Sequence, residues 1–227
     1  MKFGVCVFPG SNCDYDTYYV IRDLLNQEVV FLDHETRRID GLDCVVLPGG
    51  FSFGDYLRAG ALASRTPLAH AVVDFAHRGG LVLGICNGFQ ILTELHLLPG
   101  ALLKNAHLRF VCKDVYLRVE NNSIPFTRSY EKGEVIRLPI AHGEGRYYVP
   151  EDELRRMEEN GQIILRYCDA DGNVTEEANP NGSVGNIAGV CNREGNVFGL
   201  MPHPERACED LLGYHDGIIL WHSIVNV

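Results

Sequence analysis

The chain has 227 residues, 46% hydrophobic and 22% charged, the proportions of an ordinary globular protein long enough to bury its own core. A formal net charge of −10, with no block of Lys and Arg, would repel a phosphate backbone and disfavours nucleic-acid binding. No apolar run approaches the ~20 residues of a membrane span, so no membrane contact is predicted, and cysteines scattered without a CxxC pair fit a reducing cytoplasm as the expected location.

The opening MKFGVCVFPG is too soon interrupted for a signal peptide and reads as a first strand over residues 3–8, ending at Pro9-Gly10. An amphipathic stretch follows from Asp14, a plausible N-cap, to Gln27, with Val20, Ile21, Leu24 and Leu25 on its apolar face. Strands are predicted over 28–32 and 43–48, helix within 55–78, a buried strand over 81–85, and helix from Asn87 to His96. Short apolar strands alternating with helices predict a flavodoxin-like α/β fold, a mostly parallel sheet with helices on both faces.

The second half is richer in strands, predicted over 107–119, 134–140, 162–168, 186–191 and 196–201. They are joined by Gly- and Asn-rich turns and followed by a helix over 216–225. These are read as extra antiparallel strands of one domain, residues 1–227. The eight cysteines, at 6, 13, 44, 86, 112, 168, 191 and 208, form no CxxC pair. Neither structural zinc nor a disulfide framework is expected, and no metal site is predicted.

Functional groups of a parallel sheet gather at the carboxyl ends of its strands. One such junction is Gly84-Ile85-Cys86-Asn87-Gly88, where an apolar strand runs directly into a helix. This is the cysteine counterpart of a nucleophile elbow, with glycines where the turn brings backbone into close approach. A helix N-terminus there favours a thiolate. A buried structural cysteine at a tight turn is the plain alternative.

A cysteine nucleophile needs a base, and the base needs an orienting partner. Met201-Pro202-His203-Pro204-Glu205 supplies both, and its prolines restrict the backbone. If extended, it would point His203 and Glu205 the same way. His142-Gly143-Glu144 has the same spacing, and spacing alone does not choose between them. Pro48-Gly49-Gly50, at another strand end, could bring a bare backbone N–H to an oxyanion, with Asn87 N–H as the second donor.

These segments, in this order, resemble the triad-type glutamine amidotransferases. The likeness narrows with residues 48–60 (PGGFSFGDYLRAG), 84–90 (GICNGFQ), 139–145 (PIAHGEG) and 201–206 (MPHPER), and it extends over essentially the whole chain. It points to the small glutaminase subunits of a purine-biosynthetic synthase, with the minor departure that Phe53 stands where Tyr is expected. The resemblance implies that Cys86 forms a γ-glutamyl thioester, His203 is the base and Glu205 its orienter. It makes Gly50 and Asn87 the oxyanion donors and Gln90 a contact for L-glutamine. The His142-to-Gly145 loop would then belong to substrate-side or interface elements.

The resemblance also implies partners: a large synthetase subunit that binds ATP and formylglycinamide ribonucleotide, and a small accessory subunit. No P-loop pattern occurs here, so no cofactor is expected on this chain, with ATP and Mg on the synthetase. Two other readings are another elbow-cysteine hydrolase on the same scaffold and a non-catalytic regulatory subunit. All three triad residue types are present, which argues against the second.

Overall fold

In the computed structural model, which describes residues 1–226, the apolar runs of the first half become β1 (Lys2–Val7), β2 (Glu28–Asp33), β3 (Cys44–Leu47) and β4 (Leu81–Ile85). Val227 lies outside the described residues. The chain forms two compact units: Met1–Leu98 with Asn196–Gly199, and Pro99–Gly195 with Leu200–Val227.

In the first unit β1 pairs in parallel with β2 and β3, and β3 with β4. The segment 196–199 lies beside β4, where Val82 N–H donates to Asn196 O at 2.8 Å. The order β2-β1-β3-β4, with that late segment in fifth place, is flavodoxin-like. Every residue of β3 is buried, whereas β2, at the edge, is largely exposed. This matches the continuous apolar run of the one and the mixed run of the other.

Three helices surround these strands: α1 (Asp14–Tyr19), which continues as a π turn over Val20–Leu24, α2 (Pro67–His77) and α3 (Asn87–Glu94). Thr66 caps α2, its Oγ1 accepting from Ala69 N–H at 3.2 Å, with Pro67 at the first helical position. Asp14 is not the cap of α1. Cys13 N–H is held by Gly49 O at 3.2 Å and Cys13 O accepts from Thr17 N–H, so Cys13 is the half-in residue. Asp14 becomes the first helical residue, its carboxylate in the first turn.

The second unit is antiparallel. It contains β5 (Ala101–Leu103), β6 (Val111–Val119), β7 (Val135–His142), β8 (Arg146–Tyr148), α4 (Glu151–Glu159), β9 (Ile163–Cys168), β10 (Ile187–Cys191) and α5 (Ile218–Val225). Strands run in the order β10-β9-β6-β7, every pairing antiparallel, and β5 pairs with β8. Along β7 buried and half-buried residues alternate, so Ile136, Leu138, Ile140 and His142 share the inward face.

Strand β6 begins at Val111; residues 107–110, expected as strand, form a loop. Strands β5 and β8 and helix α4 were not expected. Trp221, Tyr147, Tyr167 and Phe126 fill the core of this unit, and Phe3, Phe89, Leu47 and Leu83 that of the first. Among the described residues no helix is long and apolar enough to cross a membrane.

Candidate active site

Cys86 stands between the last residue of β4 and the first of α3, with φ 49° and ψ −103°. A β-carbon in that backbone conformation is strained, and such strain persists only where the surroundings over-determine it. Here two glycines do so. A Cβ at Gly88 would lie 1.9 Å from Leu47 O, and one at Gly84 would lie 2.8 Å from the Gly88 backbone. Helix α3 therefore sits directly against β3 and β4, and the turn between strand and helix has no room to relax. The expected elbow is present.

The end of β3 supplies the neighbouring wall. Gly50 has φ +143°, and a Cβ there would meet Asn12 N at 2.6 Å. The loop 9–13 is laced to it: Phe51 N–H donates to Gly10 O at 3.0 Å and Asn12 N–H to Gly49 O at 3.4 Å. Neither bond uses the N–H of Gly50. Farther along, Gly60 packs against the Gln90 backbone, and Arg58 makes a two-pronged ion pair with Glu94 at 2.5 and 2.6 Å. The loop after β3 is thus fastened to both the first loop and α3.

Asn87 and Gln90 are buried on the first turn of α3. Asn87 Oδ1 accepts from Ser52 N–H at 3.1 Å, and its Nδ2 donates to Gln90 Oε1 at 2.9 Å. Both side chains therefore brace the loop that carries Gly50.

In the second unit His203 and Glu205 are buried as a pair, Nδ1 to Oε1 at 2.6 Å. The segment is not extended, as the sequence suggested. His203 (φ −106°, ψ 88°) precedes a 3-10 turn over Pro204–Arg206, and the turn itself folds the carboxylate back to the ring. It is held by His203 N–H donating to Pro139 O at 2.9 Å and by Gly217 N–H donating to Ala207 O at 2.7 Å. A Cβ at Gly217 would stand 2.1 Å from Pro204 O. The contact of Glu205 with Nδ1 fixes the orientation of the ring.

The rival histidine is built differently. His142 Nδ1 meets Asn105 Oδ1 at 3.1 Å, an amide in place of a carboxylate. Asn105 Nδ2 donates to Arg109 O and His142 O, so its oxygen is the acceptor and His142 Nδ1 carries the proton. The ring packs against Gly145, where a Cβ would lie 2.4 Å from it. Its pKa is pushed down to about 4, by burial first and by neighbouring His203 second. His142 is a neutral, structural imidazole at physiological pH. The Asn105, Asn181 and Ser183 side chains around it are buried and interlinked, a network that local sequence does not disclose.

The chain resembles known proteins along its whole length. Residues 1–215 match the model of the CobB/CobQ-like glutamine amidotransferase domain. The phosphoribosylformylglycinamidine synthase subunit PurQ of Aquifex aeolicus is 70% identical over 226 residues, covering 100% of both chains. The subunit of the same name from Moorella thermoacetica is 60% identical, covering 100% of this chain and 96% of that one. Among solved structures, PurLQS from Thermotoga maritima contains a chain with TM-score 0.87 and 48% identity, over 99% of this chain and 97% of that one. With an elbow cysteine in one unit, a His–Glu pair in the other and this likeness throughout, the chain belongs to the glutamine amidotransferase family, in the group of PurQ subunits of phosphoribosylformylglycinamidine synthase.

Proposed function

We propose that Cys86, His203 and Glu205 carry out glutamine hydrolysis in a glutaminase subunit that supplies ammonia to phosphoribosylformylglycinamidine synthase. The observation that carries the reading is the strained elbow at Cys86, which holds one thiol at the N-terminus of α3 between Gly84 and Gly88. The family match over residues 1–215 supports taking the whole chain as one glutaminase domain.

In this mechanism His203 takes the thiol proton and Cys86 Sγ attacks the side-chain amide carbon of L-glutamine. The tetrahedral oxyanion is met by the N–H groups of Gly50 and Asn87, and Gln90 contacts the bound substrate. Collapse breaks the C–N bond as the imidazolium returns its proton to nitrogen, leaving a γ-glutamyl thioester and free ammonia. A water molecule, deprotonated by His203, then attacks the thioester carbon and releases glutamate and the thiol. Glu205 on Nδ1 holds the ring's orientation and tautomer and stabilises each imidazolium stage.

Ammonia so formed is useful only beside an acceptor. The large synthetase subunit, with ATP and Mg, would use it to convert formylglycinamide ribonucleotide to formylglycinamidine ribonucleotide, with the small accessory subunit completing the complex in the cytoplasm. The solved PurLQS of Thermotoga maritima, which holds a chain so like this one, supports such an assembly. The test is Cys86→Ala in the reconstituted complex: glutamine-dependent synthesis should vanish while synthesis from ammonium salts persists. Continued use of glutamine by that variant would remove Cys86 from its role.

A further inference from the structure

We infer that residues 103–113 form a docking surface for an acidic face of the synthetase subunit, an inference that rests on the function proposed above. This stretch, LKNAHLRFVCK, holds Lys104, Arg109, Lys113 and His107 and no Asp or Glu, in a chain of net charge −10. Among the described residues none of the three cations stands in an ion pair. Between them three apolar side chains face outward: Leu108 is 78% exposed, Phe110 54% and Leu103 40%. Exposed apolar side chains ringed by unpaired charge of one sign mark a contact surface.

The loop is built to hold that arrangement. Leu108 has φ +59°, a conformation that disfavours a branched apolar side chain. The bonds around it nonetheless fix it there. Leu108 N–H donates to Asn105 O at 2.8 Å, and Arg109 N–H to His107 Nδ1 at 3.1 Å. His107 Nε2 meets Pro180 O at 3.1 Å, Asn105 Nδ2 donates to Arg109 O at 2.8 Å, and Ala106 N–H to Asn181 O at 2.9 Å. So many bonds spent on presenting a strained leucine to water point to a partner that covers it.

The occupant follows from charge. A polyanionic nucleic acid would meet repulsion from the rest of this acidic chain, whereas a protein can match the local cations with carboxylates and Leu108 with a pocket. The same Asn105 that fixes the loop also accepts from His142 Nδ1 and Gly145 N–H, and His142 neighbours His203. A synthetase seated here would therefore press on the frame that carries the base.

The affinity of the full chain for the synthetase subunit, measured by titration calorimetry with the accessory subunit present, tests this. Leu108→Gly removes the side chain and relieves the positive φ, so it should fold at least as well as the wild type yet bind ten times more weakly or worse. Lys104→Glu/Arg109→Glu should weaken binding to a similar degree and flatten its dependence on salt. Labelling of Cys86 by a glutamine-analogue electrophile, in the absence of synthetase, should stay at the wild-type rate in both. Affinities within twofold of wild type would overturn the inference. So would a loss confined to Tyr15→Ser/Phe31→Ser, which alters the exposed aromatic cluster of α1 and β2. If the wild type itself neither binds the synthetase nor is labelled at Cys86, the functional reading fails; if it does both and the loop variants bind as well, only the docking surface fails.

Discussion

Glycine normally weakens a fold relative to alanine by roughly 0.5–1 kcal/mol, because it has more freedom to lose. At position 86 the order should reverse. The backbone there has φ 49° and ψ −103°, where any β-carbon is strained. Cys86→Gly should therefore be more stable than Cys86→Ala, by about 1 kcal/mol in urea unfolding. The ordinary order would mean that the elbow relaxes once the thiol is gone, and that the strain belongs to the sulfur. His142 offers a second test. Its pKa is about 4 in the folded chain and near the ordinary 6.5 when unfolded. Between these values the unfolded chain binds more protons, so this contribution is whole above pH 6.5 and is lost as pH falls toward 4. From pH 7 to pH 4.5 the wild type should lose about 2–3 kcal/mol more than His142→Gln. Equal losses would show that the ring is protonated in the fold as readily as in water.

Elements were readable in the sequence in proportion to how far local pattern decides them. Strand β4 and the elbow were legible because Leu81-Val82-Leu83 is apolar throughout and the close contacts at Gly84 and Gly88 admit no side chain. The His203–Glu205 pair was legible by spacing, although a 3-10 turn and not an extended strand brings it together. The competing His142 was set aside by the family resemblance and not by spacing, since its partner Asn105 lies 37 residues away. Helix α4 left no apolar stripe to detect. Three acidic residues open it, the pairs Glu151–Arg155 and Asp152–Arg156 line its surface, and Met157 alone is buried. Exposed pairs of that kind contribute little, so Met157 is the anchor. Its Sδ receives the Tyr147 hydroxyl at 3.6 Å. Met157→Ala should cost about 2–4 kcal/mol in urea unfolding, far more than removing either ion pair. A cost below about 1 kcal/mol would mean that α4 is held by its charges instead.

At the scale of the whole molecule, glutamine hydrolysis has to be coupled to demand for ammonia, and the loop after β3 is where coupling can act. Gly50 holds φ +143°, and Phe53, Gly54 and Asp55 all have positive φ, so this loop stores strain beside the proposed oxyanion donor. It is also fastened at both ends, to Gly10 through Phe51 N–H and to α3 through Arg58–Glu94. Yet Tyr56 is 87% exposed and Leu57 76%, side chains that a partner can grip. A grip on Tyr56 would be carried to Gly50 along a short stretch of backbone whose slack is already removed. The prediction is that the chain alone turns over glutamine slowly and that the synthetase raises its kcat. One oxyanion-hole donor is worth about 10²–10³ in kcat, so aligning Gly50 N–H should bring a gain of that order. The gain should appear in kcat and not in KM, because an aligned donor meets charge present only in the transition state. Equal turnover with and without the synthetase would mean that Gly50 is already aligned in the free chain, and that the strain after β3 serves only to seat the loop on α3.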